Sequence, residues 1–258
     1  MRRVVIAVSG LLVCLFLACA LSSAEEPSSA VSTMTVPARP ESATPVAVST
    51  KTVYQKVAPA KAQPKASPKV IKLLPPQTEI GRPLMTALKY RRTSREFDGR
   101  ELPAQVLSNL LWAAFGVNRP GTGYRTAPSA VNWQEIDIYV AMPGGLYLYD
   151  ANTSVLMQVL PADIRALTGK QQFVKDAPLN LIYVADLSKM GRSNDADKNF
   201  YSAADTGFIS ENVYLFCASE GLSTVVRGLF DRDGLSRVMN LRPEQKIILT
   251  QTVGYPKK

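Results

Sequence analysis

The sequence predicts an α+β fold for residues 76–258, and three observations lead to that class. Two segments, residues 104–115 and 205–220, repeat apolar residues at helical spacing. Two short apolar runs flank Pro143-Gly144, which is the signature of a β-hairpin. Helices and strands follow one another without regular alternation, which favours α+β over a parallel α/β sheet. The length suffices for one domain with a substantial core.

The first elements of this domain are helical. Pro83 predicts the start of a helix whose apolar face carries Leu84, Ala87 and Leu88. A second helix follows Leu102-Pro103 and stops at Gly116. The next stretch, residues 118–134, is rich in Gly, Pro, Ser and Asn, so it predicts a long loop.

The remaining elements mix strands with helices. In chain order they are a hairpin of residues 136–140 and 145–149, a short helix at 163–167, a buried strand at 178–185, a core helix at 205–220 that stops at Gly221, and strands at 223–226 and 246–253. Cys217 lies on the apolar face of the core helix, so we interpret it as a small core residue.

The first residues have the pattern of a signal peptide. Met1-Arg2-Arg3 is positively charged, residues 4–21 are almost entirely apolar, and Ser22-Ser23-Ala24 offers a cleavage site. We expect residues 1–24 to be removed near Ala24, which predicts an exported protein that is periplasmic or secreted. Three alternatives stay open: an uncleaved membrane anchor, lipidation at Cys19, and export through the twin-arginine route.

Residues 25–75 predict a disordered tether. Ala, Pro, Ser, Thr, Val and Lys dominate it, and such a composition buries too little apolar surface to offset its ordering entropy. Its recurring lysines would suit a spacer close to an anionic membrane surface, and a solvated linker without a partner is the alternative. The domain boundaries predicted from the sequence are therefore 1–24, 25–75 and 76–258.

Charge and composition exclude several function classes. The net charge is +9, of which the leader supplies +2 and residues 25–75 supply +4, so the folded domain carries only +3. A domain so weakly basic argues against nucleic acid as a partner. The chain has no histidine and one cysteine beyond the leader. That composition excludes a Ser-His-Asp triad, intrachain disulfides and the usual zinc sites.

A dense cluster of hydrogen-bond donors lies at Arg91-Arg92-Thr93-Ser94-Arg95-Glu96-Phe97. Arginine is always charged, and its planar fork of N–H groups matches a phosphate two bonds at a time. The threonine and serine hydroxyls add neutral donors. The cluster predicts a phosphate-binding segment, and a solvated basic turn is the alternative.

The same cluster resembles the motif at the start of the nitroreductase family of FMN flavoproteins. Four further features occur in the family's order, and they cover about residues 80–256. They are Ala127-Pro128-Ser129-Ala130-Val131-Asn132-Trp133-Gln134, the hairpin Gly145-Leu146-Tyr147-Leu148-Tyr149-Asp150, Asp205-Thr206-Gly207 followed by Gly221-Leu222 and Gly228-Leu229-Phe230-Asp231, and Val253-Gly254-Tyr255-Pro256. The hairpin is similar to that of the branch that includes azoline oxidases (SagB-type dehydrogenases).

This resemblance implies a cofactor and an assembly. The expected cofactor is FMN, bound between the subunits of a two-fold homodimer whose central sheet is mixed and mainly antiparallel. Arg91, Arg92, Thr93 and Arg95 would hold its phosphate and ribityl chain, and Lys257 would add a late phosphate contact. The resemblance also assigns a backbone N–H contact with flavin N5 to Gly228, and contacts from the second subunit to Pro128, Ser129 and Asn132.

The implied function is hydride transfer through flavin N5, with no catalytic side chain and no metal. The first hypothesis is a reductase of small nitro compounds, quinones or activated alkenes. The second is a dehydrogenase of azoline-type or peptide-derived rings, and the third is an envelope module that binds flavin without turnover. Arg227 stands where several family members carry glutamate, so NADPH or NADH as the electron donor stays open.

Overall fold

The computed structural model describes residues 69–258, so the predicted signal peptide and most of the predicted tether lie outside the described part. Within this range the chain forms ten strands and five α-helices. The strands are β1 (Val70–Lys72), β2 (Phe97–Asp98), β3 (Val117–Arg119), β4 (Tyr124–Arg125), β5 (Ile136–Met142), β6 (Gly145–Asp150), β7 (Val155–Leu160), β8 (Leu179–Asp186), β9 (Ser223–Arg227) and β10 (Gln245–Pro256). The helices are α1 (Leu84–Tyr90), α2 (Ala104–Phe115), α3 (Phe173–Asp176), α4 (Asp195–Glu220) and α5 (Arg232–Met239).

Eight strands form one central sheet in the order β1-β7-β6-β5-β8-β10-β2, with β9 also paired to β10. Every pairing in this sheet is antiparallel, so the α+β class with helices flanking an antiparallel sheet is confirmed, and no parallel pair occurs between the described strands. The hairpin predicted around Pro143-Gly144 is the β5–β6 pair. Strands β3 and β4 form a separate small hairpin inside the predicted loop at 118–134.

Alternation along the central strands sends side chains to two cores. Ile138 and Val140 of β5 pack with Leu110 and Ile209 of helices α2 and α4 on one face of the sheet. Their neighbours along β5, such as Tyr139, pack on the other face in a core that contains residues of α5. Strand β8 is buried along its whole length, as its run of apolar residues predicted.

Helix α4 is longer than the sequence predicted. It begins at Asp195 rather than near Asp205, because the Asn194 side chain caps it by accepting a hydrogen bond of 2.8 Å from the Asp197 N–H. The first ten residues of α4 are mostly polar and lack the apolar spacing on which the prediction depended. Its end at Gly221 agrees with the prediction, and this glycine has the left-handed φ of 71° typical of a helix C-terminus.

The ordered domain begins earlier than the predicted boundary at residue 76. Strand β1, which the sequence assigned to the tether, pairs with β7 at the edge of the sheet. The chain after it is also fixed, since Leu73 N–H donates to the Ser154 carbonyl and Leu74 N–H donates to Ser108 Oγ. These backbone bonds order a segment whose composition alone predicted disorder. No helix among residues 69–258 is long and apolar enough to cross a membrane.

Candidate functional site

The arginine-rich segment is extended chain between α1 and β2, and its side chains alternate between two surroundings. Arg92 and Ser94 line a cavity of about 330 Å³. Arg91 and Thr93 instead contact Tyr214 of α4. The Ser94 N–H donates to the Thr224 carbonyl at 3.0 Å, which ties the segment to β9.

Tyr214 joins the segment to the strand beside it. Its hydroxyl accepts a hydrogen bond of 3.0 Å from the Val226 N–H and lies 3.0 Å from Thr93 Oγ1. The guanidinium carbon of Arg91 lies 5.4 Å from the centre of the tyrosine ring, and Arg91 Nε lies 4.0 Å from a carboxylate oxygen of Glu211. One buried hydroxyl therefore positions both Thr93 and the middle of β9.

The cavity has the chemistry of an anion site. Its lining includes the guanidinium groups of Arg82 and Arg92 and several hydroxyl groups, and it contains no carboxylate. Its polar lining residues are Arg82, Tyr90, Arg92, Ser94, Tyr214, Ser223 and Thr224. Pro256 also lines the cavity, so the predicted contact Lys257 follows directly in the chain. This donor set fits a phosphate group.

Sequence reasoning missed Tyr90, which directly precedes the arginine cluster, and four lining residues further away in the chain: Arg82, Tyr214, Ser223 and Thr224. These four come from the chain before α1, from α4 and from β9, so only the fold brings them together with Arg92. No spacing rule would have found them. The predicted contact Arg95 is exposed and does not line the cavity.

Gly228 follows β9 and lies far from the cavity. The strand rises about 3.3 Å per residue, which puts Gly228 roughly 16 Å from Ser223, so only an extended ligand could reach both. A Cβ added at Gly228 would approach Arg232 Nη2 and Leu249 Cδ2 at 3.8 Å, which is ordinary contact. Nothing among residues 69–258 of one protomer requires glycine at this position.

The second predicted group, Pro128, Ser129 and Asn132, lies on a loop with unusual backbone geometry. Three residues other than glycine have left-handed φ values there: Val131 at 51°, Asn132 at 56° and Gln134 at 49°. Such conformations are costly and persist only where the surrounding contacts dictate them. The Val131 side chain points outward and is 81% exposed.

This loop does not meet the arginine segment within one protomer. The Ala130 N–H donates to Asp205 Oδ2 at 2.8 Å, which fixes the loop to the middle of α4. Asp205 and Tyr214 are nine residues apart on that helix, or about 14 Å along its axis. The two halves of the predicted site therefore lie apart in the single chain.

Two buried carboxyl groups lie beneath the loop. Glu135 and Asp205 are 0% and 2% exposed. The Ser129 hydroxyl donates to Glu135 Oε2 at 3.2 Å, and the Gln134 N–H donates to the same hydroxyl at 2.8 Å. Burial and the charge of Asp205 raise the pKa of Glu135 to about 7.

Arg227 points into the protein rather than outward at the end of β9. It is 5% exposed, and it donates to the Thr168 carbonyl at 2.8 Å and to Asn180 Oδ1 at 2.9 Å. Burial lowers its pKa to about 10. Because this side chain is buried, the presence of arginine where several family members carry glutamate is no argument against a pyridine nucleotide as the electron donor.

Cys217 is buried in the core as predicted, and burial raises the pKa of its thiol. Among residues 69–258, no cluster of three or more Cys, Asp and Glu side chains has the arrangement of a metal site.

Comparison with known proteins gives consistent matches. The sequence profile of the nitroreductase family matches residues 88–255. A proposed nitroreductase of Methanocaldococcus jannaschii is 31% identical over 170 residues, which are 62% of this chain and 85% of that protein. The crystal structure of a proposed nitroreductase from Ralstonia eutropha is 46% identical with a TM-score of 0.71, covering 73% of this chain and 90% of that one.

A more distant structure shares the fold alone. The NADPH:FMN oxidoreductase of Vibrio harveyi, in complex with NAD⁺, is 16% identical with a TM-score of 0.53. The match covers 68% of this chain and 69% of that one.

Proposed function

The chain belongs to the nitroreductase family, and from that premise we propose that it is an exported, homodimeric, FMN-dependent oxidoreductase of small molecules. Membership of this family supports oxidoreductase activity with a flavin. The finer proposal is the reduction of nitro compounds, quinones or activated alkenes. The observation that carries it is the cavity beside the family's arginine motif, which has guanidinium and hydroxyl groups and no carboxylate in its lining.

The chain's own residues have distinct roles in this proposal. Arg91, Arg92 and Thr93 would bind the phosphate and ribityl chain, and Lys257 would add a cation at the end of the chain. Arg95, which is exposed in the single chain, would reach the ring edge from the same segment. A cation at this edge favours the negative charge that the flavin acquires when reduced.

FMN, when bound, supplies the hydride chemistry at its N5 atom, and the protein supplies binding and orientation. The backbone N–H of Gly228 would face that atom, and the room around its Cα would let the ring approach. NADPH or NADH is the donor to test first, because the Vibrio harveyi protein of the same fold is named for NADPH.

A homodimer is supported by exposed apolar side chains on three elements. They are Leu84 and Met85 of α1, Phe200 and Phe208 of α4, and Val131 of the loop. Exposed apolar surface of this kind marks an interaction site. A second copy would cover it and would bring the loop of one protomer to the arginine segment of the other.

The decisive experiment is a visible absorption spectrum of the full chain purified after FMN supplementation. We expect flavin bands near one FMN per protomer that bleach when NADPH or NADH is added. Bleaching by an azoline-type ring but by neither nucleotide would indicate the dehydrogenase, and bound flavin that no donor reduces would indicate a binding module. A folded, colourless protein that also refuses added FMN would overturn the proposal.

Export needs a separate test, because the predicted signal lies outside the described residues. We expect the mature protein in the cell envelope or the medium, with an N-terminus near residue 25 by mass spectrometry. An intact N-terminus on cytoplasmic protein would contradict export.

A further inference from the structure

The loop at residues 129–134 is fastened to two buried acids at its start. The Ser129 hydroxyl donates to Glu135 and the Ala130 N–H donates to Asp205. Glu135 Oε1 is buried and has no donor partner in the described part of the chain. The two acids belong to different elements, since Glu135 directly precedes β5 and Asp205 lies on α4. The pair therefore connects the loop to both the sheet and the longest helix.

Among residues 69–258, neither Glu135 nor Asp205 forms a salt bridge with a basic side chain. The cations near the loop face other groups. Arg125 Nε donates to Gln134 Oε1 at 2.9 Å, Lys189 Nζ lies 2.7 Å from Asp137 Oδ1, and Arg242 Nη2 lies 2.5 Å from Asp186 Oδ2. Lys189 also donates to the Gln134 backbone carbonyl at 3.3 Å, not to Glu135. Asp205 is the acid that acts on Glu135, and its charge is of the same sign.

Two carboxyl groups in one dry site disfavour each other's ionisation. Burial and the charge of Asp205 raise the pKa of Glu135 to about 7, so Glu135 is mostly protonated below that pH. The Ala130 N–H donates to Asp205 Oδ2. A carboxyl group that keeps its proton here neutralises the repulsion that would otherwise push the loop away.

The loop needs such support, because three of its residues hold left-handed backbone conformations without being glycine. Each conformation of this kind is energetically unfavourable, and the surrounding contacts must offset that cost. Without the contacts of Ser129 and Ala130, the loop would relax toward ordinary backbone geometry.

We propose that Glu135 and Asp205 are positioning residues, which bind Ser129 and Ala130 and so hold residues 129–134 in the shape that contacts the cofactor of the second copy. This inference rests on the proposed function for its effect on FMN. The hold on the loop itself is a property of one protomer and can be measured without FMN.

The sign of the pH dependence follows from the raised pKa of Glu135. When the loop opens, the carboxyl group meets water and regains its ordinary pKa of 4.5. The closed loop therefore binds more protons than the open loop between pH 4.5 and about 7. Its population relative to the open loop is highest at low pH and falls as the pH rises through this window. Above pH 7 the dependence levels off. The closed-to-open ratio should fall by roughly a hundredfold across the window.

The test compares wild type with Glu135→Gln in the full chain. The glutamine keeps a polar side chain of similar shape and has no proton to lose. The FMN dissociation constant, followed by flavin fluorescence, should rise about tenfold or more for wild type between pH 5 and 7.5. In the variant it should change by less than about twofold. Asp163→Asn is the control, because Asp163 is also an acid but is paired with Arg165 and makes no hydrogen bond to residues 129–134. It should keep the wild-type slope.

Hydrogen exchange separates this inference from the proposed function. The protection of the Ala130 and Gln134 amides, corrected for intrinsic rates, should fall with pH in wild type and stay level in Glu135→Gln. If neither wild type nor the variants bind FMN but this difference appears, the proposed function fails and the inference about the two acids stands. If Glu135→Gln does not fold, Asp205→Asn removes the neighbouring charge that helps to raise the pKa of Glu135, so the fall in protection with pH should be smaller than in wild type. Equal pH slopes of protection in wild type and the folded variant would overturn the inference.

Discussion

The arginine segment at residues 91–96 and the loop at residues 129–134 are attached to the domain by different kinds of contact. Residues 91–96 are mostly exposed and are tied to the domain by the Tyr214 hydroxyl and by one backbone bond from Ser94. Residues 129–134 are anchored to two fully buried carboxyl groups and retain three left-handed residues. The first region offers exposed charge on an extended segment, and the second offers a shape anchored on buried groups.

This difference indicates which property each region would contribute to the proposed site between two copies. An exposed guanidinium group can contribute affinity for a phosphate, while its removal leaves the fold nearly unchanged. A shape maintained against backbone strain contributes orientation, and its loss changes stability as well. Changes in the arginine segment should therefore separate binding from folding, whereas changes around the loop should couple them.

The largest expected effect comes from Arg91→Ala combined with Arg95→Ala. Each charge-assisted contact is worth roughly 1.5–3 kcal/mol, so FMN affinity should fall on the order of a hundredfold or more. The free energy of unfolding should stay within about 0.5 kcal/mol of wild type, because both side chains are at least partly exposed. Flavin titration and urea unfolding measure the two quantities.

The control for that double variant removes the same charge elsewhere. Arg192→Ala with Arg237→Ala takes two exposed arginines from distant elements, and FMN affinity should stay near the wild-type value. If the Arg91/Arg95 variant purified with full yellow colour, the assignment of FMN binding to these two arginines would be wrong.

The arginine segment could be predicted from the sequence because its residues are contiguous, so no fold is needed to bring their charges together. The elements with clear boundaries were also predictable. Pro103 and Gly116 bound α2 in the structure, and Gly221 ends α4. Strand β7 was missed, because its apolar residues do not alternate with polar ones.

The support of the site could not be predicted in the same way. Glu135 and Asp205 are 70 positions apart in the chain, and their meeting depends on how α4 packs against the start of β5. Tyr214 resembles any other core residue of an amphipathic helix until β9 presents the Val226 N–H to it. Long-range packing, rather than local pattern, gives these residues their roles.

A smaller effect, on both stability and FMN affinity, is expected from Tyr214→Phe. The ring stays, but the Val226 N–H and Thr93 both lose their partner. An unsatisfied buried N–H should lower the free energy of unfolding by about 1–2 kcal/mol, and FMN affinity should fall by roughly fivefold as Thr93 loses its position. Tyr147→Phe is the matched control, because that buried hydroxyl donates to the Gly144 carbonyl away from the site. It should lower stability and leave FMN affinity unchanged; a similar affinity loss in both variants would remove Tyr214 from the site.

The smallest expected effect comes from Val131→Gly, which tests whether the backbone of the loop is strained or whether the Val131 side chain stabilises it. Val131 has a φ of 51° and is 81% exposed, so Val131→Gly removes backbone strain and loses little burial. The gain is partly offset by the entropy of glycine in the unfolded chain, and the free energy of unfolding should rise by about 0.5–1 kcal/mol. Val238→Gly makes the same substitution in α5, where glycine should lower it by about 1 kcal/mol. The measurement uses dilute protein without FMN, so that a lost contact between subunits does not mask the sign of the change in the free energy of unfolding. A loss of stability at Val131 would mean that its side chain, rather than the acid pair below it, sets the shape of the loop.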